Sequence, residues 1–175
     1  MSEALFDPVP VPVLGGAAFA FSFAEDPNDP EVQTALRALL DPGSQLLTEA
    51  ARHVRDYCED ILSRHAELYP EFEPPMKLEE STDIWSHVQF GEEITVTRRA
   101  DGDAEDGIYF SIECNCDWEP EHGLQLVIRD GTRVTKVGGY DGHLTNADAH
   151  AEPAYAGIVY VTIQMSRERL ASRRR

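Results

Sequence analysis

Residues 108–121 read IYFSIECNCDWEPE. Ile108, Phe110, Ile112, Cys114, Cys116 and Trp118 alternate with Tyr109, Ser111, Glu113, Asn115, Asp117 and Glu119. Successive side chains of a β-strand point to opposite faces, so this run predicts a strand with one buried face and one wet face. The cysteines fall on the apolar face, which assigns them to the core. The wet face ends in a patch of carboxylates.

The same period of two extends outward from this strand. Downstream, Gly123 to Arg129 and Thr132 to Val137 flank Asp130-Gly131, the strongest hairpin signal in the chain. A two-residue turn there sets Val127 opposite Val134, Leu126 opposite Thr135 and Leu124 opposite Val137. Leu124, Leu126 and Ile128 then line the buried face. Upstream, Ile84 to Phe90 and Glu93 to Arg99 flank Gly91-Glu92 and read as two more strands. Near the N-terminus, Val9 to Leu14 and Ala17 to Phe23 flank Gly15-Gly16, a further hairpin whose prolines imply an edge position. After a polar loop from Gly138 to Pro153, alternating Val159, Val161, Ile163 and Met165 predict a final strand over 157–165.

Between the N-terminal hairpin and the meander the period changes to 3.6. Asp29 caps a short helix that begins at Pro30 and carries Val32, Leu36, Leu39 and Leu40. A longer helix runs from a Ser44 cap to about His65, with Leu46, Ala50, Val54, Tyr57, Cys58 and Ile61 on one stripe. The expected fold is α+β in one domain over 1–166. An antiparallel sheet, a meander of about five or more strands plus the N-terminal hairpin, packs against one long and one short helix. Residues 167–175 are expected to form a frayed basic tail.

Asp and Glu outnumber Lys and Arg by 32 to 15, giving a net charge of −17. Residues 167–175 carry a net +4, so the first 166 residues carry −21. Such a field repels nucleic-acid phosphates and anionic membranes, and attracts cations and basic protein surfaces. It serves solubility equally well. Three cysteines, an odd number, argue against a disulfide framework. No apolar run approaches the length of about 20 residues needed to span a bilayer, and no signal peptide is visible. The expectation is a cytoplasmic protein.

Candidate chemistry concentrates after the 108–116 strand. Cys114 and Cys116, with His122 and His143, offer zinc-ligand types, but the spacing is not a Cys-x-x-Cys knuckle. A cysteine nucleophile needs a thiolate, and acidic surroundings disfavour one. His87 reads as an exposed strand residue. Glu113, Asp117, Glu119 and Glu121 form the candidate surface for a basic protein partner. Asp117, Glu121, His122, Asp141 and His143 form the alternative, a set of hard oxygen and imidazole ligands for calcium or zinc. His122 and Gly123 also suit a structural turn, and Asn146 and Asp148 suit turns or helix caps. No side chain is assigned a catalytic role, and no cofactor is expected.

The segment from Glu113 to Trp118, followed by Glu119-Pro120-Glu121-His122-Gly123-Leu124 and the Asp130-Gly131 hairpin, resembles an uncharacterised bacterial domain family. Its members run in the same order: an N-terminal β segment, a helix, then a strand with an Asp-Trp-acidic-x-Glu-His-Gly signature before a hairpin. The resemblance spans about 9–140, and its specific part is 117–124. It implies an α+β cytoplasmic domain with no assigned activity, and a looser similarity links it to immunity proteins that neutralise toxins. The expected function is therefore a non-enzymatic acidic module that docks a basic protein, inhibitor-like or immunity-like. The alternative is a metal-binding domain or a metal-dependent hydrolase built on the acidic and histidine loops.

Overall fold

Alternation places residues 107–116 on an inner strand of a mixed sheet in the computed structural model, which describes residues 4, 5 and 7–172. In chain order the elements begin with β1 (Ala4–Leu5), β2 (Val9–Pro10), β3 (Ala18–Phe23), α1 (Pro30–Leu39) and α2 (Leu46–Leu68). The meander follows as β4 (Val88–Arg99), β5 (Gly107–Cys116), β6 (Leu124–Arg129) and β7 (Arg133–Gly138). Two helices close the chain, α3 (Asn146–Ala149) and α4 (Ile163–Ser172). The strands hydrogen-bond in the order β1-β3-β4-β5-β6-β7, and β2 also pairs with β3.

The α+β class stands, but the sheet is not purely antiparallel: β3 runs parallel to β4. The reason is the connection. Parallel neighbours need a crossover of a dozen or more residues, and α1 with α2 supplies it. Every other pairing is antiparallel. Phe19, Phe21, Ile94, Val96, Phe110, Ile112, Leu124, Leu126 and Ile128 are buried in one core with Leu39, Val54 and Tyr57 of the helices. At about 1.5–3 kcal/mol for each large apolar side chain, this face drives the sheet onto the helices.

Asp29 caps α1 as expected, accepting from Glu31 N at 2.8 Å and Val32 N at 3.3 Å. The cap of α2 is Gln45 rather than Ser44, and it makes no side-chain cap bond. Leu46, Ala50, Val54, Tyr57 and Cys58 form the buried stripe of α2, which lies against β7.

Several local expectations need correction. Pro10 and Pro12 cannot donate to a ladder, so β2 stops after two residues and a 3₁₀ turn over Pro12–Leu14 buries Val13 and Leu14. Residues 84–87 form a 3₁₀ turn capped by Asp83, and His87 sits in it rather than in a strand. Gly91-Glu92 is not a turn. One strand of 12 residues, β4, runs through it with a register shift between Phe90 and Ile94. The final strand over 157–165 is absent. Val159 O accepts one bond from Val137 N at 2.7 Å, and the chain then coils into α4. That helix carries residues 167–172 of the expected tail, while Arg173, Arg174 and Arg175 lie outside the described residues.

The β6–β7 hairpin forms, but in a different register. Its loop holds three residues, so Arg129 faces Arg133 and Ile128 faces Val134. A bulge then shifts the ladder again, and Val127 faces Lys136 while Leu126 faces Val137. Gly131 at φ 69° occupies the left-handed region, and a methyl there would collide with the Ala35 carbonyl and Leu39 amide of α1. The turn is thereby pressed onto the helix.

Candidate functional site

The face of the sheet turned away from α1 and α2 carries polar side chains beside the buried Tyr109 and Val127. Register places Thr95 beside Ser111 and Thr97 beside Tyr109, while Glu113 lies beside Gln125. Residues 139–144 rise over this face and enclose a cleft of about 280 Å3. Thr95, Thr97 and Ser111 line it, with Glu93 and Glu113 as its carboxylates; Tyr140, Gly142 and Leu144 complete it. Burial, then the neighbouring Glu113 carboxylate, pushes the Tyr140 phenol above its ordinary range.

A buried ammonium fixes the loop that walls the cleft. Lys136 on β7 is 1% exposed, and its Nζ donates to Gln125 Oε1 at 2.6 Å and to Asp141 Oδ1 at 2.5 Å. Gln125 Nε2 in turn donates to Ser111 Oγ at 2.8 Å. Burial lowers the Lys136 pKa against the pull of Asp141. For Asp141, burial is the largest influence and works the other way, but the Lys136 hydrogen bond, the His143 amide and the charges of Lys136 and His143 together hold its carboxyl below the usual range. Nothing in a lone lysine after a hairpin signals this. The bulge that turns Lys136 onto the covered part of the face is invisible in the local pattern.

Arg99 anchors the far end of the same covering segment. It bonds Asp101 at 2.9 Å, Asp103 at 3.0 Å and Asp148 at 2.8 Å, and reaches Thr145 Oγ1 at 3.2 Å. Thr145, not Asn146, caps α3. The Asn146 side chain donates to the carbonyls of Ile158 and Val159 at 2.8 and 2.9 Å.

The structure sorts the sequence candidates into three groups. Glu113 and Asp117, four residues apart in sequence, form the first, and of these Glu113 lines the cleft. Asp117 accepts from Gln89 Nε2 at 3.2 Å and pairs with His87 Nδ1 at 2.9 Å, and the His87 contact lowers its pKa. Glu119, Glu121 and His122 form the second group, with potential ligand atoms within 4.8 Å of one another. Asp141 and His143 form the third: Asp141 Oδ1 accepts from the His143 amide at 2.9 Å while it holds Lys136. The five residues of the alternative metal set therefore do not converge among the described residues. The backbones of the two loops do meet, through Tyr140 N and His122 O at 3.0 Å.

Within the acidic turn, Glu119 has a structural task. Its Oε1 accepts from the amides of Glu121 at 3.0 Å and His122 at 3.3 Å. Gly123 at φ 59° ends the turn, and a methyl there would strike the Cys114 carbonyl. Tyr57 donates to Gly123 O at 3.0 Å, tying the turn to α2. All three cysteines are buried. Burial pushes Cys58 and Cys114 up to about 12 and Cys116 up to about 11, so the thiols stay protonated at neutral pH.

Among the described residues no helix is long and apolar enough to cross a membrane. A family model described as DUF6985, a domain of unknown function, matches residues 3–144. The match takes in the cleft and the acidic turn and stops short of α3 and α4. No curated protein and no solved structure matches the chain.

Proposed function

The chain belongs to this family of unknown function, and we propose that it is a non-enzymatic acidic module that binds a basic protein, in the manner of an inhibitor or immunity protein. The observation that carries the reading is the cleft on the open sheet face. Glu93 and Glu113 flank hydroxyl groups of Thr95, Thr97 and Ser111, and no basic side chain lines it among the described residues. A lysine or arginine side chain of the partner fits this chemistry: its stem lies against Tyr140 and Leu144, and its head meets carboxylates and hydroxyls. Asp117 extends the anionic surface along the same face. The net charge of −17 adds long-range attraction that speeds encounter with a cationic partner.

A capped hexa-arginine peptide tests this reading by NMR titration at low ionic strength. Chemical-shift changes concentrated at Thr95, Ser111 and Glu113, and fading steeply with added salt, support it. Changes scattered evenly over every acidic surface would remove the cleft from the account.

A further inference from the structure

On the opposite side of the acidic turn lies a second cavity of about 400 Å3. It is bounded by the C-terminal end of α2, the 69–75 segment and the turn that begins at Trp118. Ile61, Leu68, Tyr69 and Pro75 supply apolar wall.

Two polar nitrogens set this cavity apart. Trp118 is 1% exposed, and its indole Nε1 is buried without a hydrogen-bond partner. His65 lines the same cavity, and its Nδ1 is buried and unpartnered as well. Buried polar groups are almost always paired, and each exception calls for a specific reason. Two exceptions on one cavity wall point to groups that a ligand completes.

The surroundings define that ligand. Leu68, Tyr69 and Phe72 are exposed large hydrophobics within five residues of one another. The Tyr69 ring packs against both His65 and Phe72, with centroids 5.4 and 6.5 Å apart. Exposed apolar side chains grouped in this way offer a surface that a partner can cover. Glu73 and Glu119 also line the cavity, against a single Lys or Arg among the described residues, Arg64.

We propose that this cavity docks an extended peptide segment of the basic partner, one that carries a large apolar residue beside a lysine or arginine. The apolar side chain packs against Leu68, Tyr69 and Pro75. A backbone carbonyl of the segment accepts the Trp118 indole N–H, and the basic side chain faces Glu73. A peptide offers a carbonyl, an apolar group and a cation at this short spacing. An anionic lipid surface or a nucleic acid would meet two carboxylates instead. The class of partner rests on the function proposed above; the position of the cavity does not.

The test uses two capped tripeptides of equal charge, N-acetyl-Arg-Leu-Arg amide and N-acetyl-Arg-Ser-Arg amide, titrated into the full chain at low salt. The expected result is a saturable downfield shift of the Trp118 indole N–H with the leucine peptide and affinity about tenfold weaker for the serine peptide. Leu68→Ser, at an exposed position, is expected to erase that preference without unfolding the chain. Equal binding of the two peptides overturns the proposal. So do shifts confined to the Glu93 and Glu113 cleft with the indole unmoved, a result that leaves the acidic cleft standing. No shift anywhere with either peptide overturns both readings.

Discussion

Lys136 Nζ lies 2.5 Å from Asp141 Oδ1, and this contact holds the loop that walls the polar cleft against the sheet. Only the lysine is fully buried; the Asp141 side chain is 40% exposed. Removing one partner of a buried pair leaves an uncompensated charge. Asp141→Ala is therefore expected to destabilise the fold by about 3 kcal/mol, and Lys136→Met by much less. Urea denaturation of the two variants measures the difference, and equal losses would contradict the assignment.

The same pair sets an acid limb of stability. The folded-state pKa of Asp141 lies below its ordinary value, so its contribution is fully present above the unfolded value of about 3.9. It is lost as pH falls through the folded value. Asp141→Asn is expected to be less stable than the parent at pH 7, with the gap narrowing as pH falls below about 4. Melting temperatures measured from pH 7 down to pH 3 check this, and a gap that widens in acid would contradict it.

Gly131 combines a left-handed backbone with direct apposition to α1. Gly131→Ala is expected to cost about 2 kcal/mol or more. Thr132→Ala, at the exposed neighbouring position, is expected to stay within about 0.5 kcal/mol of the parent. Thermal unfolding of both variants provides the comparison.

The alternation of 108–118 made the buried face of β5 legible from sequence, but Tyr109, expected on the wet face, is fully buried, its hydroxyl donating to Glu105 O of the preceding loop. The Asp29-Pro30 cap and the apolar stripe of α2 were equally readable, because each signal lies within a few residues. What stayed hidden depends on distant partners. The parallel pairing of β3 with β4 joins residues about 73 apart in sequence, such as Phe21 and Ile94. The alternation of Val159, Val161, Ile163 and Met165 imitated a strand because its first half is extended beside β7 while its second half begins α4. At the site, Glu113 was legible as a wet-face carboxylate. Glu93 and Tyr140 were not, because only the folded loop brings them to the same cleft.

Cys58, Cys114 and Cys116 are expected to resist a thiol reagent in the native state. Burial raises each thiol pKa to about 11 or 12, and each is less than one-tenth exposed. Ellman's reagent at pH 8 should report no rapid reaction until denaturant is added, and then three thiols. Rapid labelling of Cys114 or Cys116 in the folded chain would return them to the list of reactive groups.

The measurement that bears most directly on the acidic cleft is a charge-matched comparison of hexa-arginine binding by calorimetry at low salt. Glu93→Gln with Glu113→Gln removes the cleft carboxylates, while Glu49→Gln with Glu59→Gln removes the same charge from the exposed side of α2. The cleft variant is expected to lose about tenfold or more in affinity, and the helix variant less than about threefold. Equal losses would show that net charge alone attracts the peptide, and would contradict a built site on the open sheet face.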